Sequence, residues 1–517
     1  MPNTGEDLAT SRRDVFVLVV AIFIAGVCSI VYELLISTVS SYFLGDTIKQ
    51  FSIIIGMYMA AMGLGAYLSR LLKGDLIPFF IKMEIALGFI GGVSVPFLYT
   101  CYALRPEAYP VLMPLLVLLI GVLIGVEIPL LARILDKYYV LKINISTVLS
   151  VDYVGALVAT ILFPFILLPL LGTFRSSLVF GVLNMGIGFI MLWRFSDSVG
   201  AKYHRRYLLY SIVSVLMLLI LLLSAQPLIR VWSQSLYEDQ VIFQKRTPYQ
   251  QLVLTKYRDD LNFFINGNLQ FSSRDEYRYH EALVHIPMAA ARRRENVLVL
   301  GGGDGLAVRE ILKYKPSAFV TVVDLDPEVV ALARRNPLMR ELNEASLDHP
   351  QVMVFHTDAY MFLESRESLY DVILADLPDP NNVSLARLYS REFYDLAFSR
   401  LTRRGVFATQ STSPYYAKNA FWCIYETVRA SRFENVVPYH VFVPSFGDWG
   451  FVVASKDRFD YAALEIPVPT QFLGRNALKR CFQFEKDIIA GEPAPRTNTL
   501  DDPQLLHYYL ESWRNWR

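Results

Sequence analysis

The sequence has few of the residues that bind metals or cross-link a chain. It contains four cysteines among 517 residues, and they lie far apart, without a CxxC pair or other spacing typical of a metal site. Two of them, Cys28 and Cys101, fall in apolar runs. We therefore expect four reduced thiols without a catalytic role, and no metal centre.

Charge is also sparse. Charged residues make up 19% of the chain, hydrophobic residues make up 54%, and the formal net charge is +1. This balance gives no reason to expect a nucleic acid as a partner. The composition is too apolar for an ordinary soluble protein and too charged for a chain that is embedded in a membrane throughout. The two properties are separated along the sequence, so we predict a membrane part followed by a soluble part.

Apolar stretches long enough to cross a bilayer recur in the first part, where about twenty residues are needed for each crossing. They show no period-two alternation, so helices are the expected spanning form. The first stretch is too long for the apolar core of a signal peptide, and we expect it to stay in the mature protein. A polytopic α-helical membrane domain in the cell membrane is therefore predicted for residues 1–227. Its seven predicted spans are Val15–Val39, Phe51–Leu72, Pro78–Cys101, Val111–Leu131, Thr147–Leu171, Ser176–Trp193 and Tyr207–Ala225.

Three acidic residues lie inside these stretches: Glu33, Glu127 and Asp152. An ionised carboxylate is costly in lipid, so such residues usually face a cavity or pair within the bundle. One interpretation is a path or binding site for a cation. The other is that the acids are protonated or hydrogen-bonded groups that pack the helices near the interfaces. The sequence leaves both interpretations open.

The soluble part changes its pattern along its length. Short alternating segments are interrupted by Asn266-Gly267-Asn268, which is typical of a hairpin turn, so a small β-domain is predicted over residues 228–290. Strands that alternate with helices follow, and they predict an α/β doubly wound, Rossmann-like domain of the methyltransferase type with a parallel sheet over residues 291–517. Its predicted strands are Asn296–Leu300, Phe319–Val323, Val352–Phe355, Val372–Ala375 and Gly405–Thr409.

Acidic residues follow three of these strands, and a glycine loop follows the first. Asp324 lies 23 residues beyond Gly301, at the end of the second strand, where an acid can accept both ribose hydroxyls. Its alternative role is to cap the helix that begins at Pro327. Asp358 and Asp376 occupy the corresponding places after later strands. Ligands bind at this edge of such sheets, so the pattern predicts a nucleoside site. Adenosine linked to a sulfonium fits it better than a dinucleotide.

Several separate stretches resemble the spermidine synthase (polyamine aminopropyltransferase) family, including its membrane-fused subgroup. They cover about residues 230–455 in the order and spacing of the family, and the combination is more specific than the glycine loop alone. The stretches are Thr247-Pro248-Tyr249-Gln250, Asp275-Glu276-Tyr277 leading into Tyr279-His280-Glu281, the loop Gly301–Gly305, Val323-Asp324-Leu325-Asp326 and Asp376-Leu377-Pro378-Asp379-Pro380.

The resemblance implies transfer of an aminopropyl group from decarboxylated S-adenosylmethionine to a polyamine, with release of methylthioadenosine and without a cofactor. Asp376 would accept the proton of the attacking amine, and Asp304 would bind the amine of the aminopropyl group. The implied donor and nucleoside ligands are Gln250, Asp304, Asp324, Asp358 and Ala359. The implied polyamine ligands are Tyr279, His280, Asp304, Asp376 and Asp379.

Some features depart from the family or allow other functions. The family's glycine-proline gate loop is replaced by Asn381-Asn382-Val383, and its terminal tyrosine-glycine pair is matched only by Phe446-Gly447. His280 has the alternative of a structural core histidine. The two alternative functions are a membrane polyamine sensor or transporter and a methyltransferase that uses intact S-adenosylmethionine. Asp304 argues against a methyltransferase, because it would repel the methionine carboxylate. The acceptor amine and the oligomeric state stay open, although many relatives form homo-oligomers.

Membrane topology gives two conflicting expectations. Lys and Arg are concentrated on one side of the predicted spans, which places the N-terminus in the cytoplasm and, with an odd number of spans, the soluble domain outside. The resemblance implies a donor that is made in the cytoplasm and therefore a cytoplasmic catalytic domain. We favour the cytoplasmic side, with one run that does not cross. The basic side contains Arg12, Arg13, Arg70, Lys73, Lys82, Arg133, Lys137, Lys142, Arg194, Lys202, Arg205 and Arg206, and the other side Lys49, Arg105 and Arg175.

Overall fold

The chain consists of two compact units in a computed structural model that describes residues 5–44, 47–136, 141–314 and 318–514. The first unit is Met1–Glu238 and the second is Asp239–Arg517. The division falls after Glu238, beyond a further helix, Ala225–Ser235, that follows the last long apolar helix.

The first unit is helical. Seven of its described segments are long and apolar enough to cross a membrane, and each overlaps one of the predicted spans. A π-helical turn, Phe163–Leu167, interrupts the fifth of them. The helices are α1 Gly5–Leu44, α2 Thr47–Ser69, α3 Leu76–Leu104, α4 Tyr109–Leu135, α5 Leu141–Leu162, α6 Leu168–Leu170, α7 Gly172–Arg194, α8 Ser196–Val199, α9 Ala201–Leu223 and α10 Ala225–Ser235.

Small residues let the helices of this unit pack backbone against backbone. A Cβ atom at Gly125 of α4 would lie 2.1 Å from the carbonyl oxygen of Met62 in α2. A Cβ atom at Gly65 of α2 would lie 2.1 Å from the carbonyl oxygen of Val122. Neither position therefore accepts a larger residue without separating the helices, which is the packing that small residues provide between apolar helices.

The second unit begins with a four-stranded antiparallel sheet in the order β1-β2-β3-β4. The strands are β1 Gln240–Arg246, β2 Gln251–Tyr257, β3 Asp260–Ile265 and β4 Asn268–Ser272. Asn266 and Gly267 connect β3 and β4 with φ angles of 51° and 80°. Two consecutive positive φ angles are the geometry of a type I′ hairpin turn, so the turn lies where the sequence predicts it.

A seven-stranded sheet forms the rest of the second unit, in the order β10-β11-β9-β8-β5-β6-β7. Its strands are β5 Asn296–Gly301, β6 Phe319–Asp324, β7 Val352–His356, β8 Tyr370–Asp376, β9 Leu401–Gln410, β10 Asn435–Val443 and β11 Gly447–Ser455. Strands β5 to β9 are parallel, but β11 is antiparallel to both β9 and β10. The prediction of a parallel sheet is therefore wrong, and the sheet is mixed. The chain between β10 and β11 is a short turn, and a parallel connection would need a crossover of about a dozen residues.

Helices and their side chains cover both faces of this sheet and form two separate apolar cores. The helices are α11 Glu276–Ala290, α12 Leu306–Ile311, α13 Pro327–Arg335, α14 Pro337–Leu342, α15 Ala359–Ser365, α16 Val383–Ala386, α17 Arg391–Ser399, α18 Lys418–Arg429, α19 Arg475–Cys481 and α20 Gln504–Arg514. The arrangement is the Rossmann-like fold that the sequence predicts for this part of the chain.

Candidate active site

The strand order reverses at β5, which lies between β6 and β8. In open α/β sheets, ligands bind outside the carboxyl ends of the strands at such a switch point. Gly301, the last residue of β5, is the register partner of Asp376, the last residue of β8. Asp324 ends the neighbouring strand β6. The sheet therefore brings the glycine loop and two of the predicted acids to one edge.

The glycine loop touches both acids. A Cβ atom at Gly301 would lie 1.9 Å from the carbonyl oxygen of Asp376, and one at Gly303 would lie 2.4 Å from Oδ2 of Asp324. Gly301 and Gly302 also have positive φ angles of 84° and 64°. Any side chain here would push the loop away from the strand ends. Glycine therefore serves both the turn and the close approach of the backbone to Asp324 and Asp376.

Asp376 is held by a buried tyrosine. Its Oδ1 atom accepts a hydrogen bond of 2.7 Å from the Tyr279 hydroxyl of α11. Burial raises the pKa of Asp376, while the charge of His280 and the Tyr279 hydrogen bond act in the opposite direction. A carboxylate with a raised pKa takes up a proton more readily than an ordinary aspartate. Asp376 is thus oriented and electrostatically suited to act as a base.

His280 is buried beside an ion pair. Its Nδ1 atom lies 2.7 Å from Oε2 of Glu276, one helical turn earlier in α11. Arg309 donates to both carboxylate oxygens of Glu276, at 2.9 and 3.1 Å. Burial alone would lower the pKa of His280, but the Glu276 hydrogen bond and charge, with the charges of Asp304 and Asp376, raise it to about 9. His280 is therefore an imidazolium at neutral pH.

Asp304 occupies the glycine loop. Its Oδ1 atom accepts a hydrogen bond of 2.8 Å from the backbone N–H of Leu306, at the start of α12. Burial raises the pKa of Asp304 to about 6, against the lowering effect of His280, and the charge of Asp376 adds to the rise. The mutual influence of Asp304, His280 and Asp376 places all three within one electrostatic cluster. At neutral pH, Asp304, with a pKa of about 6, is mostly a carboxylate, and His280, with a pKa of about 9, is an imidazolium.

Asp324 faces the glycine loop and does not cap the following helix. Its Oδ2 atom accepts from the N–H of Gly303 at 3.0 Å, and Oδ1 accepts from the N–H of Asp326 at 2.9 Å. Asp326 instead caps α13 by accepting from the N–H of Glu328. Burial raises the pKa of Asp324 to about 6 despite the lowering effect of these two backbone N–H groups. The capping alternative for Asp324 is therefore wrong.

Gln250 lies in the turn between β1 and β2, and a hydrogen bond ties this turn to the end of β6. The Thr247 hydroxyl donates to Oδ2 of Asp326 at 2.7 Å, and it accepts from the N–H of Gln250 at 3.0 Å. The carbonyl oxygen of Gln250 accepts from the N–H of Thr247 at 2.8 Å. The small sheet thus carries Gln250 to the neighbourhood of Asp324.

Asp358 and Ala359 lie at the start of α15, after the next strand of the sheet. Asp358 caps the helix, since its Oδ1 atom accepts from the N–H groups of Tyr360 and Met361. Its Oδ2 atom lies 2.5 Å from the guanidinium of Arg387. Ala359 is the first residue of the helix and is buried. Asp358 therefore has three structural partners, and its predicted contact with adenine stays a prediction.

Asp379 belongs to a second polar cluster. Its carboxylate accepts from the hydroxyls of Tyr509 and Thr412 at 3.0 and 3.3 Å, and from Nε2 of Gln410 at 3.4 Å. Burial raises the pKa of Asp379 to about 6, against the lowering effect of these three donors. Gln410 also donates to Tyr389, whose hydroxyl donates to the carbonyl oxygen of Pro378. The cluster fixes the segment that connects Asp376 and Asp379.

Several residues that support the site have no role predicted from the sequence. Glu276 could have been found, because an acid four residues before His280 lies on the same helix face. Tyr509 and Thr412 had no sequence signal, since they reach Asp379 from segments far along the chain. Phe446, which stands where the family usually has tyrosine, forms a T-shaped ring contact with Tyr279, with 6.3 Å between the centroids.

Comparisons with known proteins identify the family of the chain. The sequence model of the spermine/spermidine synthase domain matches residues 276–462. A polyamine aminopropyltransferase of Leptospira interrogans is 43% identical over 502 residues, which are 96% of this chain and 98% of that protein. One of Oceanobacillus iheyensis is 38% identical over 501 residues, 95% of this chain and 96% of that protein. The solved spermidine synthase of Thermotoga maritima is 25% identical with a TM-score of 0.44, covering 48% of this chain and 85% of that one.

The two relatives with long alignments match nearly the whole chain, so their similarity includes the helical unit as well as the Rossmann-like unit. Their names favour aminopropyl transfer over a methyltransferase and over a sensor or transporter that only binds polyamine. The chain belongs to the polyamine aminopropyltransferase (spermidine synthase) family.

Proposed function

We propose that Asp376 is the proton acceptor for aminopropyl transfer and that Asp304 and Asp324 hold the donor beside it. The observation that carries this proposal is the convergence of the three acids on one glycine loop, with Tyr279 bonded to Asp376. Members of the family use decarboxylated S-adenosylmethionine as co-substrate. The products are then methylthioadenosine and a polyamine that is longer by one aminopropyl group.

The chemical difficulty is the nucleophile. A primary amine is almost entirely an ammonium ion at neutral pH, and only the free amine has a lone pair for attack. Asp376 removes one proton, and the lone pair forms a bond to the methylene carbon next to the sulfonium. The carbon–sulfur bond breaks, and its electron pair stays on sulfur, so methylthioadenosine leaves as a neutral thioether. The leaving group needs no proton, and a single base is sufficient.

His280 supports this step through its charge. The side chain is buried and bonded to Glu276, and an imidazolium would repel a cationic polyamine at close range. The same charge lowers the pKa of Asp376 and Asp304, which burial raises. We therefore assign His280 the task of keeping both carboxylates ionised until substrates arrive. Tyr279 aims Asp376, and Asp379 lines the acceptor side.

The donor is recognised by two acids with different duties. Asp324 accepts the ribose hydroxyls, and Gln250, Asp358 and Ala359 contact the nucleoside. Asp304 binds the ammonium of the aminopropyl group, which methylthioadenosine lacks. Because the pKa of Asp304 is about 6, it is ionised at neutral pH. Its attraction for the donor is present above this pKa and is lost as the pH falls through it.

Replacing Asp304 with asparagine should weaken donor binding selectively. A charge-assisted hydrogen bond contributes about 1.5–3 kcal/mol, so the Kd of decarboxylated S-adenosylmethionine should rise by about 10- to 150-fold. The Kd of methylthioadenosine should change little, because this ligand has no ammonium for Asp304 to bind. Calorimetric titration of the full chain with both ligands measures the difference.

The matched control is Asp324→Asn. The ribose is common to donor and product, so this variant should weaken both ligands to a similar extent. An equal loss for both ligands in Asp304→Asn would contradict the assignment of the ammonium to Asp304. The proposed role of Asp376 as the base would be unaffected, because that role is tested by turnover and the role of Asp304 by ligand binding.

The helical unit is proposed to lie in the cell membrane, with the catalytic unit on its cytoplasmic side. The support is the set of seven long apolar helices together with a donor that is made in the cytoplasm. Seven crossings with a cytoplasmic catalytic unit would put the basic N-terminus outside. We therefore expect one of the seven helices not to cross the bilayer, as the positive-inside rule requires.

Fusion of alkaline phosphatase to the C-terminus should give cells without phosphatase activity, because this enzyme is active only outside the cytoplasmic membrane. Fusion of a green fluorescent protein at the same position should give fluorescent cells and serves as the control for expression. Strong phosphatase activity from the first fusion would contradict the cytoplasmic placement. It would leave the chemistry of the site unaffected.

A further inference from the structure

Two glutamates are buried against each other in the helical unit. Glu84 of α3 is 0% exposed and Glu127 of α4 is 2% exposed. Their carboxyl groups are in hydrogen-bonding contact. Nδ2 of Asn184, on α7, donates to Oε2 of Glu84 at 2.8 Å. Three helices of the bundle thus contribute polar groups to one buried point.

The pair lacks a donor that the protein could supply. Oε1 of Glu84 and Oε1 of Glu127 are both buried without a hydrogen-bond partner among the described residues. A carboxylate can only accept, so two carboxyl groups in hydrogen-bonding contact need a proton on one of them. Two buried negative charges at this separation would repel each other strongly. The pair therefore lacks at least one positive charge.

The surroundings contain no side chain that could provide this charge. The ionisable groups that interact with the pair are Cys28 and Tyr32 of α1, Tyr58 of α2 and Asp152 of α5. Lys82 is close in sequence to Glu84, but its side chain is exposed. Within the described part of the helical unit, the partners of the pair are thus neutral or acidic. The charge has to come from outside the protein.

A small cavity connects Glu127 with a less buried acid. Glu127, Ser29 and Asp152 are among the residues that line it, and Asp152 is partly exposed. Its volume of about 20 Å³ holds roughly one water molecule or one small ion. This is too little for a polyamine. Gly26 makes room for Asp152, since a Cβ atom at Gly26 would lie 2.7 Å from Oδ1 of Asp152.

We propose that Glu84 and Glu127 form a proton-binding site, that they share one proton, and that Asp152 exchanges this proton with the outside through the cavity. Among the described residues, no group of three or more acids, histidines or cysteines could hold a metal ion. Intramembrane acids of this kind form proton relays in membrane proteins. The site is independent of the aminopropyl transfer chemistry.

Infrared spectroscopy of the full chain in lipid nanodiscs tests the shared proton. The wild-type protein should show the carbonyl stretch of a protonated carboxyl group at neutral pH, and the band should shift in deuterium oxide. Subtraction of the spectrum of the Glu84→Gln/Glu127→Gln variant should isolate a signal of one carboxyl group per chain. The matched control is Glu107→Gln, which changes an exposed glutamate of the same unit and should retain the band.

An absent signal, or a signal of two separately protonated groups, would overturn the shared proton. Loss of the band when Na⁺ or K⁺ is added at constant pH would show a metal cation instead. If the double variant does not elute as a monodisperse protein, Glu84→Gln and Glu127→Gln are measured singly. Loss of either partner ends the sharing, so a band that is unchanged in both single variants would overturn the proposal.

Asp152→Asn tests the exchange route separately. This variant should retain the carboxyl band but exchange its proton with deuterium oxide more slowly than the wild type does, because the ionisable group between the cavity and the outside is lost. Exchange at the wild-type rate would overturn the role of Asp152. The measured quantity is the exchange rate of the proton. A change in packing that leaves this rate unchanged would not give the expected slower exchange.

Discussion

Replacement of Asp376 with asparagine is expected to abolish turnover while nucleoside binding survives. The amide keeps the shape of the side chain and its place beside Tyr279, but it cannot accept a proton from the attacking ammonium. Loss of a positioned base costs typically 10²- to 10⁴-fold in rate, so we expect a decrease of about this size in kcat. Methylthioadenosine release by the full chain measures turnover, and calorimetry measures nucleoside affinity.

Two further measurements separate loss of the base from loss of structure. The residual turnover of Asp376→Asn should rise about tenfold per pH unit, because the fraction of free amine rises in that proportion below the amine pKa. Tyr279→Phe, which removes the hydrogen bond but keeps the carboxylate, should retain more activity than Asp376→Asn. If Asp376→Asn kept more than about a tenth of wild-type turnover, Asp376 would not be the base.

The centre of the site could be predicted because its residues depend on short patterns. An apolar strand followed directly by an acid places that acid at the carboxyl end of the strand, and the ends of neighbouring parallel strands meet at one edge. Gly301 and Asp376 are distant in sequence, yet they are register partners for this reason. The same reasoning applies to the glycine loop, which continues from β5, and to Asp324, which ends the neighbouring strand β6.

Other parts of the site depend on tertiary contacts that no local pattern encodes. Tyr509 reaches Asp379 from the last helix, and Thr412 reaches it from the segment after β9. Thr412 has a φ angle of 58°, which is unusual for a β-branched residue. The strain gives no signal in the sequence. Phe446 likewise gains its contact with Tyr279 only because β10 and β11 form a hairpin.

The sequence contained signals for two features that were not predicted: the cap of α13 and a fourth acid in the spans. Asp326 stands directly before Pro327, the first residue of α13, and that position is the usual place of a helix cap. Asp324 stands two residues before this capping position, at the end of β6. Glu84 lies inside the predicted span Pro78–Cys101 but was not included with the other acids of the spans. Its pairing with Glu127 required the structure, since the two residues lie on different helices.

Replacement of Glu276 with glutamine should destabilise the second unit and make its stability less dependent on pH. Glu276 is buried between His280 and Arg309, and removal of one partner from a buried ion pair costs about 3–5 kcal/mol. The pKa of His280 is raised from 6.5 to about 9 in the folded protein, so its stabilising contribution is present below pH 6.5 and is lost as the pH rises toward 9. The difference in stability between wild type and variant should therefore narrow over this range.

Amide hydrogen exchange of the full chain, corrected for the intrinsic rate at each pH, measures this difference locally in the peptides of α11. Glu295→Gln is the matched control, because Glu295 forms an exposed ion pair with Arg293 and should have little effect at any pH. A stability difference that stays constant between pH 6.5 and 9 would contradict a protonated His280. In that case the neutral ring could not hold Asp304 and Asp376 ionised.

Turnover of Glu276→Gln provides the second measurement. Loss of the imidazolium should raise the pKa of Asp376 and move the acidic limb of the pH profile of turnover to higher pH.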